Sequence, residues 1–182
     1  MKRILIKLDN CIGCRSCELA CATEHASPQD LAMLTPKERR MLARMRVRCG
    51  SIEIVNDQEG KPVFGQSRTK IPKGKAYPIH CRHCDEPKCV EACMSGALMK
   101  QDDGAIRHDG KGCVRCWMCI MACPYGAILI DPKAKSILKC DLCPGRETPA
   151  CVEACKTGAL VLLLDDARVA GKGAEVVAGG PD

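Results

Sequence analysis

Short apolar segments bounded by polar and turn residues recur along this chain. Segments of this length and composition predict β-strands, because a strand needs only about four to eight residues and accommodates branched side chains well. Two of them begin at a glycine-alanine turn, and the other three lead into cysteine-rich loops. The predicted strands cover residues 3–8, 105–108, 127–131, 136–138 and 160–164.

Four groups of four cysteines lie between the predicted strands. Each group opens with C-x-x-C and closes with C-x-x-x-C, and three groups continue into a Gly-Ala-Leu or Gly-Ala-Ile segment. The repetition predicts one small unit used several times: a cysteine-bearing loop, a short helix carrying the closing pair, a turn and a strand. The fold class is therefore α+β, with each unit built around a buried inorganic centre. The groups are Cys11, Cys14, Cys17 and Cys21; Cys81, Cys84, Cys89 and Cys93; Cys113, Cys116, Cys119 and Cys123; and Cys140, Cys143, Cys151 and Cys155.

About sixty residues separate the first cysteine group from the second, and they have a different character. Thr35, Pro36 and Glu38 have the pattern of an N-cap, a first-turn proline and a capping-box acid. They predict a helix that runs to residue 46. A hairpin is predicted after it, with strands at 51–55 and 61–64.

Two further segments are predicted to lack regular structure. Residues 65–78 contain Pro and Gly and predict a loop that leads into the second cysteine group. From residue 167 onward the chain is rich in Gly and Ala, which predicts a tail that is mobile or laid on a partner. We expect the insertion and the tail to serve as docking surfaces.

The cysteine spacing indicates iron–sulfur chemistry. A C-x-x-C-x-x-C loop curls three sulfurs around one face of a [4Fe–4S] cubane, and in two-cluster ferredoxins the cysteine three residues later ligates the neighbouring cubane. Residues 113–124 have this signature in full, and residues 11–21 have it without the following proline. Zinc sites combine two separated knuckles, and disulfides do not suit a reducing compartment, so both are weaker interpretations.

Composition and charge agree with this chemistry. Aromatic residues make up only 2% of the chain, so a core built on Phe, Tyr and Trp is excluded and metal–thiolate bonds are expected to hold the loops together. The formal charge is +6 with every cysteine counted as neutral. Four [4Fe–4S] centres with thiolate ligands would add about −8. The apparent basicity is therefore a weak argument for nucleic acid.

The chain is expected to be cytoplasmic. Its first residues lack the apolar region of a signal peptide, and its longest apolar run, residues 159–164, is far shorter than the roughly 18 residues of a spanning helix. We therefore expect reduced thiols and no membrane anchor.

With these motifs in place, the chain resembles the four-cluster ferredoxin-like electron-transfer subunits of molybdenum- and tungsten-pterin oxidoreductases and of carbon monoxide dehydrogenase and hydrogenase complexes. The resemblance is carried by CIGCRSCELACA, CRHCDEPKCVEACMSGAL, CVRCWMCIMACPYGAI and KCDLCPGRETPACVEACKTGAL. It implies four [4Fe–4S] clusters as cofactors and all sixteen grouped cysteines as iron ligands. Proline, frequent in the family after the closing cysteine, follows only Cys123.

The resemblance also implies two nested bacterial-ferredoxin-like modules, whereas geometry alone allows two modules in sequence. The outer module would comprise residues 1–28 and 132–166, the inner module 78–131, the insertion 29–77 and the tail 167–182. The outer clusters would be held by Cys11, Cys14, Cys17 and Cys155, and by Cys140, Cys143, Cys151 and Cys21. The inner clusters would be held by Cys81, Cys84, Cys89 and Cys123, and by Cys113, Cys116, Cys119 and Cys93.

Closely spaced one-electron centres predict an electron-transfer role. No Ser-His-Asp set, phosphate loop or pair of catalytic carboxylates can be assembled, so we expect a non-catalytic subunit of a hetero-oligomeric redox complex. The preferred partner is a tungsten or molybdenum aldehyde oxidoreductase, before formate dehydrogenase, carbon monoxide dehydrogenase or hydrogenase complexes, with a flavin or hydrogenase subunit as a further candidate. Two alternatives stay open: a free polyferredoxin carrier, and a regulatory or structural metal protein that would bind nucleic acid through the basic helix.

Some residues outside the sixteen ligands also call for an interpretation. Cys49 is the unpaired cysteine and is interpreted as a small buried hydrophobe. The four histidines are expected to pack or form hydrogen bonds near the clusters, because each predicted cluster already has four cysteines. Trp117 and Tyr125 are expected to shield the third group from water. Lys139 is interpreted either as a charge that tunes the cluster of Cys140 or as a surface lysine.

Overall fold

The computed structural model describes residues 2–49, 75–131, 133, 136–164 and 169–170. In this part of the chain, short helices and short strands alternate, and no helix is long and apolar enough to cross a lipid bilayer. The helices are α1 (Ser16–His25), α2 (Pro28–Met33), α3 (Pro36–Arg39), α4 (Lys88–Glu91), α5 (Met118–Ala122) and α6 (Ala150–Glu153). The strands are β1 (Arg3–Ile6), β2 (Arg46–Cys49), β3 (Ala76–Ile79), β4 (Leu98–Lys100), β5 (Ile106–His108), β6 (Leu129–Ile130), β7 (Ile137–Leu138), β8 (Leu160–Leu163) and β9 (Val169–Ala170).

Strands from the two ends of the chain pair with each other. β1 runs antiparallel to β8, with Arg3 opposite Leu163 and Ile6 opposite Leu160. β9 adds to the other edge of β8, which gives a sheet in the order β1-β8-β9. The segment predicted as a tail therefore contributes a strand, because backbone groups at the edge of β8 supply partners that its Gly- and Ala-rich sequence does not reveal.

The remaining described strands form antiparallel pairs. β4 pairs with β5 and β6 pairs with β7, which confirms the strands predicted around 105–108, 127–131 and 136–138. β6 and β7 pair although the predicted module boundary at residue 132 lies between them.

The insertion departs from its prediction where β2 pairs with β3. Ala76–Ile79 is a strand and not the end of a loop, because β2 offers it a hydrogen-bonding partner that is distant in sequence. The hairpin predicted at 51–55 and 61–64 lies outside the described residues.

The helix predicted from residue 35 begins as expected but is short. The Thr35 hydroxyl accepts a hydrogen bond from the N–H of Glu38, and the Glu38 carboxylate accepts one from the N–H of Thr35, at 3.4 and 3.0 Å. The helix then passes into a 3₁₀ turn, and Arg46 already belongs to β2. An extended path there buries Met45 and Val47 in the core, which a continued helix on the surface would not do.

The buried apolar side chains form two clusters, and cysteines are members of both. The first cluster includes Cys17, Cys21 and Cys151 together with residues of β1, β2 and β8. The second includes Cys89 and Cys119 together with residues of β4, β5 and β7. Helix α1 packs against α6, and α4 packs against α5. Each core therefore joins cysteines from two different groups.

Candidate iron–sulfur centres

All four cysteine loops share one backbone feature. The residue before the second cysteine of each group has a positive φ: 70° at Gly13, 51° at His83, 62° at Arg115 and 63° at Leu142. Three of these residues are not glycine, and the conformation costs each of them about 1–3 kcal/mol. It persists only where the surrounding structure enforces it. Turns of this type direct successive backbone N–H groups into a concave surface that suits anionic centres. The loops are therefore shaped alike, although their sequences differ.

The first cysteine group meets a cysteine from near the other end of the chain. Cys155 acts electrostatically on the thiols of Cys11 and Cys17, and so does Cys14. Cys155 lies two residues beyond the end of α6, the helix that packs on α1, and its sulfur accepts a hydrogen bond from the N–H of Leu160 at 3.4 Å. Burial raises the pKa of the Cys17 thiol to about 12.

The fourth cysteine group meets the closing cysteine of the first. Cys151 lies near Cys140, Cys143 and Cys21, all of which act on its thiol. The Cys21 sulfur accepts a hydrogen bond from the N–H of Arg44 at 3.4 Å. Burial raises the pKa of Cys140 and that of Cys151 well above the usual range.

The second cysteine group meets the closing cysteine of the third. Cys81, Cys84, Cys89 and Cys123 line one cavity of about 280 Å³. The N–H of His83 points to the Cys81 sulfur at 3.4 Å. Burial raises the pKa of the Cys89 thiol to about 11.

The third cysteine group meets the closing cysteine of the second. Cys93, Cys113, Cys116 and Cys119 line a pocket whose wall also includes Trp117. The other three thiols of this pocket all act electrostatically on the thiol of Cys119, whose pKa is raised mainly by burial. Trp117 thus lies where it was expected, at the third group.

Tyr125 was expected beside the third cysteine group, but it lies at the cavity of the second group. Its ring lies 4.0 Å from the Arg82 guanidinium, measured to the ring centroid, and both side chains line the cavity. Arg82 also donates to the Tyr77 hydroxyl at 3.4 Å. The expectation was wrong because Cys123 faces the second group, and Pro124 and Tyr125, which follow it, line the same cavity.

The four sets have the donor chemistry that iron–sulfur cubanes require. Thiolates are the preferred ligands of these clusters. A buried thiol with a raised pKa keeps its proton unless a metal ion replaces that proton. The positive charge of the metal then stabilises the thiolate, which burial alone disfavours. Backbone N–H groups point to sulfur in all four sets, at Cys155, Cys21, Cys81 and Cys93 among others. The residues present therefore fit [4Fe–4S] clusters.

A half-buried ionic network beside Cys21 and Cys143 has no counterpart among the sequence predictions. Asp141 accepts hydrogen bonds from the His25 ring and from the N–H of Cys143, both at 3.1 Å, and it pairs with Arg44. The other ring nitrogen of His25 lies 2.8 Å from the carbonyl oxygen of Cys21. Burial opposes charge on both groups. Hydrogen bonds to Asp141, Cys143 and Cys21 nevertheless raise the pKa of His25 to about 12, while His25 and Arg44 hold the pKa of Asp141 low.

The remaining histidines and Lys139 lie close to the cysteine sets. Burial lowers the pKa of His80 and that of His83, the latter to about 3 with a contribution from Lys139. His108 lines the pocket of the third group. Lys139 is only 4% exposed, so its interpretation as a surface lysine is wrong.

Cys49 is exposed at the end of β2, so its predicted burial is wrong. Val47, two residues earlier on the same face of the strand, fills the core, and Cys49 lies beyond the edge of that core. Its sulfur would be 3.2 Å from a Cβ atom placed on Gly13, so the thiol lies against the first cysteine loop.

Comparison with known families agrees with this chemistry. The 4Fe-4S dicluster domain family matches residues 73–164, which contain three of the four cysteine groups. The chain belongs to this family. It is an iron–sulfur protein that binds [4Fe–4S] clusters and carries electrons.

Relatives of similar length support the same class. An iron-sulfur protein of Rhodospirillum rubrum is 32% identical over 89% of this chain and 82% of its own length. The electron transport protein HydN of Escherichia coli (strain K12) is 33% identical over 88% of this chain and 86% of its own length. A longer relative, one of the subunits of the tetrathionate reductase of Salmonella typhimurium, is 34% identical over 87% of this chain, which spans 56% of that relative. The chain is thus of the type found as electron-transfer subunits in oxidoreductase complexes.

A solved structure also aligns with the chain. The active site complex BamBC of benzoyl coenzyme A reductase as isolated contains a chain that covers 90% of this one, over 76% of its own length. The two share 26% sequence identity with a TM-score of 0.45.

Proposed function

We propose that this chain relays single electrons through four [4Fe–4S] clusters, each held by four cysteines, to or from a separate catalytic subunit. The observation that supports the proposal is that each cysteine loop lies close to the closing cysteine of another group. A [4Fe–4S] cluster supplies reversible one-electron chemistry when bound. The chain itself provides ligands, shielding and charge, and leaves substrate chemistry to its partner.

The proposed ligand sets are nested. The packing of α1 on α6 and of α4 on α5 supports them, as does the pairing of β1 with β8, which joins the two ends of the outer module. The outer sets are Cys11, Cys14, Cys17 and Cys155, and Cys140, Cys143, Cys151 and Cys21. The inner sets are Cys81, Cys84, Cys89 and Cys123, and Cys113, Cys116, Cys119 and Cys93.

The four sets are proposed to follow one another in a series. The charge of Cys17 contributes to the raised pKa of Cys151, which indicates that the two outer sets are close to each other. The charge of Cys81 contributes in the same way to the raised pKa of Cys140, which indicates that an inner set is close to an outer one. The two inner sets share the second core through α4 and α5. The proposed order begins with the set of Cys11 and ends with the set of Cys113.

Solvent exposure supports this order. Cys14 and Cys116 are exposed, and in the proposed series they belong to the first and the last set. Cys140 and Cys81, in the middle of the series, are half-buried and buried. We infer that partners exchange electrons with the two ends, because tunnelling to an external cofactor requires a short distance.

The partner is proposed to be a catalytic redox subunit in the cytoplasm. Two relatives carry names of reductase components, one from a tetrathionate reductase and one from a probable anaerobic dimethyl sulfoxide reductase of Escherichia coli, which favours an oxidoreductase complex. Within that class we take a tungsten or molybdenum aldehyde oxidoreductase as the first candidate, on the sequence resemblance alone. Formate dehydrogenase, carbon monoxide dehydrogenase and hydrogenase complexes are alternatives, and so is a free polyferredoxin.

The deciding experiment is anaerobic purification of the native protein with analysis of its metals and its partners. We expect about sixteen iron and sixteen acid-labile sulfide per chain, together with a co-purifying catalytic subunit whose cofactor identifies the reaction. Full loading without any partner would favour the free carrier. Zinc, or iron without sulfide, would overturn the proposed function.

A further inference from the structure

Lys139 is a buried lysine at the boundary between the two cores. It follows β7 and directly precedes Cys140, and only 4% of its surface is exposed. Its ammonium donates to the carbonyl oxygen of Ile106 at 2.6 Å and to that of Cys140 at 3.0 Å. Ile106 belongs to the second core and lines the cavity of Cys81, whereas Cys140 packs against the first core.

The ammonium has no carboxylate counter-ion in the described part of the chain. Asp141, two residues along, is paired with His25 and Arg44 instead. A buried charge is costly unless it is both hydrogen-bonded and compensated by opposite charge. The two carbonyl groups satisfy hydrogen bonds, but as neutral acceptors they do not balance the charge.

Thiols of two different ligand sets lie within reach of this charge. Ile106, whose carbonyl oxygen accepts from Lys139, lines the same cavity as Cys89, and Cys140 directly follows Lys139 in the chain. Cys89 belongs to the set of Cys81, and Cys140 belongs to the adjacent outer set. Lys139 therefore lies between the middle two centres of the proposed series.

Hydrogen bonds connect the same two sets through Lys139. The N–H of His83 points to the Cys81 sulfur at 3.4 Å, and the His83 ring accepts a hydrogen bond from the N–H of Ile106 at 2.9 Å. The carbonyl oxygen of Ile106 accepts from Lys139, which in turn reaches Cys140. Lys139 supplies a cationic side chain on this path.

We propose that Lys139 is a positioning residue whose buried ammonium is balanced by the iron–sulfur centres on both sides and raises the reduction potentials of those two centres. The inference rests on the proposed function, because the counter-charge comes from thiolate-bound clusters. A fixed positive charge favours the reduced, more negative state of each neighbouring centre. Its effect falls mainly on the middle two centres, since the two end sets lie beyond them in the series.

The test compares lysine variants of the full chain after anaerobic loading with iron and sulfide. Lys139→Met and Lys139→Gln remove the charge, and Lys139→Arg keeps it. Lys88→Met is the matched control, because Lys88 also precedes a ligand cysteine but is 53% exposed and paired with Glu91. The readouts are iron content and the midpoint potentials from redox titration followed by electron paramagnetic resonance.

We expect the neutral variants to shift the one-electron reduction equilibrium of two centres about tenfold toward oxidation, which corresponds to about 59 mV. The other two centres should move less, and Lys139→Arg and Lys88→Met should match the unmodified chain. If both neutral variants lose iron while Lys139→Arg loads fully, a requirement for the charge is still supported.

Two results would overturn the role of Lys139 without affecting the proposed function. One is a set of unchanged potentials in fully loaded neutral variants. The other is loss of iron from Lys139→Arg as well, which would assign the residue to packing. Failure of the unmodified chain to bind iron and sulfide would instead contradict the proposed function itself.

Discussion

Cys49 lies beside a proposed set of iron ligands, but its position does not make it a ligand. Cys49 lies at the exposed end of β2 against the loop of Cys11, and it acts electrostatically on the Cys11 thiol. The proposed set of Cys11 nevertheless has four cysteines without it. Stoichiometry separates the two roles, because a cubane that loses one ligand loses either the iron which that ligand held or all four iron atoms, whereas a neighbouring thiol holds none.

We predict that Cys49→Ala leaves the iron and sulfide content unchanged, whereas Cys155→Ala lowers the iron content by about one to four atoms per chain. Alanine is chosen because it provides no oxygen that could replace the sulfur. The measurement is iron and acid-labile sulfide on anaerobically loaded protein. Equal losses in the two variants would show that Cys49 is a ligand or that the set of Cys155 is assigned wrongly.

The half-buried carboxylate of Asp141 is predicted to be important for stability. Asp141→Asn removes the charge that pairs with His25 and Arg44 and leaves both cations without compensation in a site where the three side chains are 12–28% exposed. Breaking a buried ion pair on one side costs about 3 kcal/mol. The expected result is a matching fall in the guanidinium midpoint of the loaded chain, measured anaerobically. Asp85→Asn, which affects only the exposed pairs of Asp85 with Arg3 and Lys100, should change the midpoint little.

The cost of Asp141→Asn should be largest near about pH 5 and smaller near about pH 8. The folded pKa of Asp141 lies below the usual value of 3.8, so the carboxylate of the unmodified chain is ionised over this whole range. The hydrogen bond to Asp141 raises the pKa of His25 above 6.5, and the variant lacks that bond, so its His25 can release the proton as the pH rises and one of the two uncompensated charges disappears. A cost that grows from about pH 5 to about pH 8 would contradict the assigned charges.

At the scale of residues, local spacing decides what the sequence can reveal. The cysteine groups are visible because each loop needs its sulfurs a few positions apart. Asp141 is not visible as a network centre, because its partners Arg44 and His25 are 97 and 116 positions away. The burial of Lys139 depends in the same way on Ile106, 33 positions away. Such contacts exist only once the chain has folded.

At the scale of elements, the left-handed residue before the second cysteine is the feature that the four loops share. Only the first loop uses glycine there, and the structure gives a reason beyond the positive φ. A Cβ atom on Gly13 would lie 3.0 Å from the Cβ of Ala76 in β3 and 3.2 Å from the sulfur of Cys49 in β2. The first loop therefore touches the β2–β3 pair closely.

We predict that Gly13→Ala destabilises the protein more than Gly96→Ala does. Both glycines have a positive φ, which costs an alanine about 1–2 kcal/mol. Gly96 has open space around its Cα, whereas Gly13 meets the β2–β3 pair, and overpacking there adds about 1–2 kcal/mol. The measurement is the guanidinium midpoint of both loaded variants. Equal midpoints would mean that the β2–β3 pair moves away at little cost.

Elements with local signals could be predicted, and elements that depend on remote pairing could not. The capping box of Thr35 and Glu38 starts α3 as predicted, because both partners lie within one turn. The end of that helix is set by the burial of Val47 in a core assembled from distant segments. Strand β3 has the same origin, since β2 supplies its hydrogen bonds across the insertion.

At the scale of the whole molecule, the two cores are small and include cysteine side chains. Aromatic residues make up 2% of the chain, and of the large rings only Trp117 is among the described side chains that pack against either core. Burial keeps several thiols protonated in the absence of metal, so the cavities they line offer little cohesion by themselves. The folded state is therefore expected to depend on its clusters, as in other small metal-binding domains.

We predict that removing iron unfolds both cores together with the loss of the clusters. Loaded protein would be treated with an oxidant and a chelator, and amide hydrogen exchange would be followed at Leu162 in β8 and at Ile106, whose N–H is bonded to His83. Protection at both amides should fall in step with the visible absorbance of the clusters, because each core contains ligand cysteines. Chelator without oxidant, under strict exclusion of air, is the control and should leave protection intact. Protection that persists after the iron has gone would mean that apolar packing alone stabilises these cores and that the fold does not depend on its clusters.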